Sequence, residues 1–165
     1  VIVAPDDADQ ALATLRKQGR EITAHFVGDG PDKDNYLSMI DQLGLAGRVS
    51  VHDAMPARQA FALARIFVVP SRAESMPYAV LEAIAAQRPI VATRVGGIPE
   101  IFEGETDALV EPGNAEALAS AMAAMLDDKN RTANAHRRRL ALQARFSVSS
   151  MAGEIETAYM AALSR

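Results

Sequence analysis

Short apolar runs alternate with amphipathic segments over the first two thirds of the chain, and this alternation limits the possible folds more than any other feature. The runs have the length of buried strands, and the segments between them carry apolar residues at helical spacing. We predict strands over residues 1–4, 22–27, 49–52, 66–69, 90–92 and 108–110, and helices over 9–18, 33–43, 58–64, 78–86 and 98–102. The expected fold class is α/β, a doubly wound parallel sheet with helices on both faces.

From residue 115 onward the pattern is helical only, so we expect a helical C-terminal segment. Residues 131–146 predict a basic helix, and residues 148–163 predict a helix whose apolar stripe packs against another surface. Arg137, Arg138 and Arg139 spread around one helix, which favours a solvated face over a nucleic-acid patch. Because neither an internal repeat nor a low-complexity linker interrupts the chain, we predict a single domain over residues 1–165.

Composition excludes several classes of function. The 165 residues are 49% hydrophobic and 23% charged, which is typical of one globular domain, and the net charge of -4 disfavours nucleic-acid and anionic-membrane surfaces. The sequence has no cysteine, and its three histidines lack ligand spacing, so we expect no disulfide and no metal site. No apolar run approaches about 18 residues. We therefore expect no transmembrane helix, no signal peptide and a cytoplasmic location.

The segment 70–83, PSRAESMPYAVLEA, carries the chemistry because it joins a predicted strand to a predicted helix. In open α/β sheets ligands bind at such turns, beyond the carboxyl ends of the strands. Glu74 falls in the loop and Glu82 in the second turn of the helix. Pro77 suits a first helical position, and Ser75 is a candidate N-cap.

This turn offers two kinds of contact to a nucleotide. Free backbone N–H groups at a helix start attract phosphate oxygens, and a carboxylate accepts hydrogen bonds from both hydroxyls of a ribose. The plainer interpretation is that Glu74 is a solvated loop residue and Glu82 an exposed helix residue, since charged side chains mostly lie at the surface. The residues alone leave both interpretations open.

Five groups of residues occur in the order seen in glycosyltransferase family 4, also called glycosyl transferase group 1. They are residues 28–31, residues 43–45 with 48–49, residues 70–83, residues 96–100 and residues 109–113. From about Ala11 the chain resembles the C-terminal, nucleotide-sugar-binding half of these two-domain GT-B enzymes. The resemblance implies one donor-binding domain of Rossmann-like fold, with the acceptor domain outside this sequence.

The resemblance also implies the site residues. Glu74 is expected beside the donor sugar as the catalytic residue, and Glu82 is expected to accept hydrogen bonds from the ribose hydroxyls. The implied main-chain contacts are those of Ser75, Met76, Tyr78 and Ala79 with the diphosphate or sugar, of Val51 and Asp53 with the nucleobase, and of Gly28 and Gly30 along the crevice. For Gly28, Gly30, Gly96 and Gly97, an equally weighted interpretation is that glycine only supplies backbone shapes closed to other residues.

The implied reaction transfers a hexose-type sugar from a nucleotide diphosphate sugar to an acceptor hydroxyl with retained configuration. The resemblance implies no cofactor and no obligatory metal. The expected partners are the nucleotide-sugar donor and a saccharide or lipid-linked acceptor, which suggests polysaccharide biosynthesis by a protein peripheral to the inner membrane. This chain alone is expected to be inactive, because the acceptor site belongs to the other half.

The sequence departs from the family at several positions. Residues 1–10 contain no lysine or arginine, whereas the family meets the diphosphate charge with both, and the three aspartates there would repel it. Either the basic residues lie outside this sequence, which we favour, or the protein no longer transfers a sugar. Gln87 and Asp107 stand where glycine is common, and of these two residues glutamine tolerates a left-handed backbone less well.

Two other functions stay open. A doubly wound domain with acidic crevice residues could be a non-catalytic nucleotide-binding regulatory or interaction module, because a fold does not determine a function. A related GT-B epimerase or phosphorylase is a further alternative. The phosphorylase is disfavoured because it would need a lysine for pyridoxal phosphate, and Lys17, Lys33 and Lys129 lie on predicted outer helices.

Overall fold

A parallel five-stranded sheet forms the centre of the protein. The computed structural model describes residues 2–3, 7–29, 33–102, 104–105 and 108–164, without the side chains of residues 2 and 3. The strands are β1 (Ile2–Val3), β2 (Ala24–Val27), β3 (Val49–His52), β4 (Phe67–Val69) and β5 (Ile90–Ala92). Their order is β3-β2-β1-β4-β5, and every neighbouring pair is parallel. The α/β fold class expected from the alternating pattern is confirmed.

Eight helices of the described residues surround this sheet and extend beyond it. They are α1 (Ala8–Lys17), α2 (Lys33–Gln42), α3 (Ala57–Ala60), α4 (Tyr78–Ala85), α5 (Ile98–Ile101), α6 (Ala115–Asp127), α7 (Arg131–Arg145) and α8 (Val148–Leu163). Helices α6, α7 and α8 follow one another without an intervening strand, so the helical C-terminal segment is also confirmed.

The sheet has a separate apolar core on each face. Helices α1 and α6 pack together on one face, where Leu15 and Met122 are fully buried. Helices α4 and α7 pack on the other, around Ile84 and Leu142. Successive residues of β4 serve the two cores, because side chains of a strand alternate between its faces. No helix in the described ranges is both long enough and apolar enough to span a bilayer.

The largest differences from the predicted elements lie at residues 108–110 and 58–64. The predicted strand over residues 108–110 is wrong: among the described residues of this stretch, only Val110 forms a bridge, with Thr93. The Ala108 N–H donates to the Glu105 carbonyl oxygen, so a turn occupies the start of the stretch. The predicted helix over 58–64 ends at residue 60, where i to i-3 hydrogen bonds replace the α-helical ones.

The apolar stripe of α8 has no covering surface within the described part of the chain. No side chain of this helix is buried, and Ile155 and Tyr159 are 47% and 69% exposed. The packing predicted for this stripe is therefore not found. Its apolar residues keep the spacing of one helix face, which explains why the sequence predicted the helix correctly without identifying a partner for it.

Candidate functional site

The strand order reverses between β1 and β4, which lie side by side in the sheet. In a parallel sheet of this order, the chain leaves β1 and β4 toward opposite faces, and a crevice opens between the two departing segments. Asp7 ends the segment that follows β1, and residues 70–77 follow β4. The sequence-predicted loop therefore lies where this fold binds ligands. We call residues 70–77 the β4-α4 loop.

Thr93 holds the start of this loop. Its side chain is buried directly after β5, and its Oγ1 donates to the carbonyl oxygen of Ser71 at 2.6 Å. The same hydroxyl lies 3.3 Å from the carbonyl oxygen of Val69, the last residue of β4. These contacts determine the direction in which the chain leaves the sheet. Sequence reasoning missed Thr93, although a buried hydroxyl residue after a predicted strand is the signal that could have found it.

Gly96 and Gly97 hold the middle of the loop. A Cβ added to Gly96 would lie 1.5 Å from the carbonyl oxygen of Glu74, and one added to Gly97 would lie 3.0 Å from that of Ser75. Gly96 also has a φ of +51°, in the left-handed region. For these two glycines, the structure supports the interpretation that they supply backbone shape and close packing. A side chain at Gly96 or Gly97 would press against the backbone of Glu74 or Ser75.

Helix α4 begins at Tyr78, as the range 78–86 predicts, but Pro77 does not take the first helical position. Pro77 is buried and has φ -82° and ψ 75°, the conformation of an inverse γ-turn, and the Tyr78 N–H donates to the Met76 carbonyl oxygen at 2.9 Å. Pro77 therefore precedes the helix instead of opening it. The predicted cap by Ser75 is also wrong, because α4 has no side-chain cap and the γ-turn separates Ser75 from the helix start.

The predicted amide donors divide into two groups. The N–H groups of Ser75, Met76 and Ala79 find no acceptor among the described residues. The N–H of Tyr78 is already bonded within the γ-turn, so a ligand would have to compete for it. The β4-α4 loop and the first turn of α4 thus offer three of the four predicted main-chain donors to an anion. A helix start with such open donors attracts phosphate oxygens.

The two carboxylates lie on the same loop and helix. Glu74 is half-buried in the β4-α4 loop, and Glu82 is exposed in the second turn of α4. Neither carboxylate has an ion-pair partner in the described ranges. Both are consequently able to accept hydrogen bonds from sugar hydroxyls.

A hydrogen bond and an ion pair join the segments that follow β2 and β3. The Gly28 N–H donates to the His52 carbonyl oxygen at 3.1 Å, and Lys33 Nζ lies 2.5 Å from Asp53 Oδ1. The hydrogen bond from Lys33 holds the pKa of Asp53 below its usual range. Val51 is half-buried within β3. The predicted site residue Gly30 lies outside the described residues.

An ion pair joins the segments after β1 and β4. Arg72 Nη2 lies 2.6 Å from Asp7 Oδ1, and Arg72 Nε lies 3.4 Å from Asp7 Oδ2. The Asp7 side chain is 7% exposed and that of Arg72 is 64% exposed. Sequence reasoning treated the early aspartates as repulsive and did not select either residue. The structure instead pairs Asp7 with a cation.

The chain matches a family model described as "Glycosyl transferases group 1" over residues 4–128. The chain belongs to this glycosyltransferase family. Two curated relatives show similar sequences. Alpha-D-kanosaminyltransferase of Streptomyces kanamyceticus is 32% identical over 125 residues, 72% of this chain and 32% of that protein. TuaC of Bacillus subtilis (strain 168), named for teichuronic acid biosynthesis, is 35% identical over 118 residues, 70% of this chain and 28% of that protein.

A solved glycosyltransferase structure shows the same fold. A glycosyltransferase from Rickettsia africae ESF-5 superposes with a TM-score of 0.81 at 20% identity, over 98% of this chain and 47% of that one. The domain therefore has a GT-B glycosyltransferase fold. The chain spans about a third of the length of the curated relatives above.

Proposed function

We propose that this chain is the donor-binding domain of a retaining glycosyltransferase that uses a nucleotide diphosphate sugar. The observation that carries the proposal is the β4-α4 loop. Contacts of Thr93 and Gly96 hold its backbone, open N–H groups precede and begin α4, and two unpaired carboxylates flank them at the switch point of the sheet. Family membership supports transfer of a sugar as the reaction.

Each part of the donor has a complementary surface. The diphosphate fits the N–H groups of Ser75, Met76 and Ala79, and the exposed carboxylate of Glu82 suits the ribose hydroxyls. Glu74 is then the group beside the donor sugar. The main chain after β3 is the surface for the nucleobase. Negative charge grows on the diphosphate as the sugar leaves, and fixed donors lower the energy of that state without reorganising.

The remaining features of the reaction rest on the family resemblance. Retention of configuration, the lack of an obligatory metal and a second domain that binds the acceptor are part of the proposal. A polysaccharide or lipid-linked acceptor is supported by the similarity to TuaC, which is named for teichuronic acid biosynthesis. The acceptor domain supplies the missing half of the reaction site, so the 165-residue chain binds donor without transferring sugar.

Calorimetric titration with UDP, GDP and ADP, each with and without Mg²⁺, tests the proposal. We expect saturable binding of one of the three nucleotides, with the same affinity in both buffers. Failure of all three to bind would contradict donor binding, and a strict need for Mg²⁺ would contradict the metal-independent site. Binding by a full-length protein that neither transfers nor hydrolyses its donor would support the non-catalytic module instead.

A further inference from the structure

Arg72 and Asp7 occupy the two sides of the switch point. Asp7 ends the segment after β1, and Arg72 is the third residue after β4, so the ion pair connects the two segments that leave the sheet there. The guanidinium of Arg72 donates hydrogen bonds from Nε and Nη2 to the two carboxylate oxygens of Asp7. A planar fork held on two bonds has little rotational freedom left, and its position in the crevice is therefore set before a ligand arrives.

The two partners differ in their access to solvent. Asp7 is 7% exposed, whereas Arg72 is 64% exposed, so a ligand in the crevice meets the cation and not the carboxylate beneath it. The same loop presents its open N–H groups only three residues later, at Ser75. An anion that contacts those donors lies within reach of a long arginine side chain from the same loop.

The charges of the crevice make such a cation necessary for an anionic ligand. Glu74 and Glu82 lie beside the N–H groups without an ion-pair partner among the described residues, and both carboxylates repel a diphosphate. Lys33, Arg72 and Arg94 each pair with a carboxylate, and of these three cations Arg72 is the one on the β4-α4 loop. Arginine is also the side chain whose fork matches phosphate oxygens.

We propose that Arg72 is a cation that binds the diphosphate of the nucleotide sugar, and that Asp7 holds it in place. This inference rests on the proposed donor-binding function and deepens it. It assigns the role of diphosphate cation to the β4-α4 loop itself, beside the donors at the start of α4.

The test compares nucleotide and nucleoside binding by variants of the 165-residue chain. The nucleoside diphosphate preferred among UDP, GDP and ADP is titrated calorimetrically, and the matching nucleoside is titrated by chemical shift perturbation. Arg72→Ala is expected to weaken diphosphate binding about 10- to 100-fold and to leave nucleoside binding unchanged, because only the phosphate contact is lost. Arg20→Ala is the matched control, since Arg20 forms a two-bond ion pair with Asp127 and precedes β2, at the end of the sheet opposite the carboxyl ends of the strands.

A second variant tests whether the loss of affinity comes from misfolding and not from the lost phosphate contact. Arg72→Ala leaves the buried Asp7 without its partner, whereas Asp7→Asn combined with Arg72→Gln removes both charges and keeps the net charge of the pair at zero. The double variant is expected to lose diphosphate affinity to the same extent. Unchanged diphosphate binding by these variants, or an equal loss for nucleoside and diphosphate, would overturn the role of Arg72 and leave the proposed function standing. Lack of any nucleotide binding by the unaltered chain would overturn both.

Discussion

Gly96 and Glu74 touch through their backbones: a Cβ at Gly96 would lie 1.5 Å from the carbonyl oxygen of Glu74. Any side chain at Gly96 must therefore displace the loop that carries Glu74. We expect Gly96→Ala to lower the free energy of unfolding by about 2 to 5 kcal/mol, from left-handed strain and overpacking together. It should also abolish nucleotide binding, as measured by urea unfolding and calorimetry.

Gly113→Ala is the control that separates the strain of a left-handed backbone from the contact with Glu74. Gly113 has a φ of +74°, and a Cβ added there meets no heavy atom within 4 Å. We expect this variant to lose only the strain, about 1 to 2 kcal/mol, and to bind nucleotide normally. Equal effects of the two alanines on stability and binding would show that the contact with Glu74 is unimportant.

Thr93→Val tests the anchoring of the loop start. The substitution keeps the shape of the side chain but removes the hydroxyl that donates to the Ser71 carbonyl oxygen at 2.6 Å. We expect a loss of about 1 to 2 kcal/mol in unfolding free energy and weaker nucleotide binding. Thr93→Ser keeps the hydroxyl and loses one methyl group, so it should bind nucleotide like the unaltered chain. Normal nucleotide binding by Thr93→Val would show that this hydrogen bond does not support the nucleotide site.

The fold was predictable because its signals are local. Strands such as Val49–His52 and Ile90–Ala92 appear as short apolar runs, and helix α8 as a period of apolar residues, so their boundaries match the prediction. The strand prediction for residues 108–110 failed because the single bridge to Thr93 depends on the neighbouring chain and not on the composition of this stretch. The sequence of a short segment does not show which residues it will pair with across the sheet.

The site was predictable only in its position. The segment 70–83 reveals a strand-to-helix turn, and the structure places that turn at the switch point. The residues that hold it, Asp7 and Thr93, come from segments on either side in space that are distant in sequence. Hydrogen bonds of this kind depend on the strand order, which the alternation of elements alone does not determine.

Glu82→Ala tests the ribose contact of the proposed donor. The exposed carboxylate of Glu82 lies in the second turn of α4, so its removal should leave folding intact. We expect nucleotide diphosphate binding to weaken by about 1.5 to 3 kcal/mol, the range for a hydrogen bond to a charged group. Glu116→Ala, an exposed glutamate in the first turn of α6, is the control. An affinity in Glu82→Ala equal to that of the control would refute the assignment.

Gln87→Gly should stabilise the protein. Gln87 follows α4 with a φ of +55°, where the family commonly has glycine, and its side chain contacts His136 at 3.1 Å. Relief of left-handed strain exceeds the added flexibility of glycine, so we expect a gain of about 0.5 to 1 kcal/mol in unfolding free energy. Gln87→Ala loses the same contact but keeps the strain, and it should gain nothing. If the Gln87→Gly protein were no more stable than the Gln87→Ala protein, the inference that the backbone at Gln87 is strained would be refuted.

His25 should make stability depend on pH. It lies on β2, with its Nδ1 3.0 Å from Nε2 of His52, and burial together with the neighbouring His52 lowers its pKa in the folded state. The unfolded chain then binds protons more readily, so the free energy of unfolding should fall as the pH drops through the ordinary histidine value of about 6.5 toward the lower folded value. Urea unfolding at several pH values on both sides of this point measures the slope. His25→Gln should flatten the curve in this window, and a variant curve parallel to that of the unaltered chain would show that His25 is not the source.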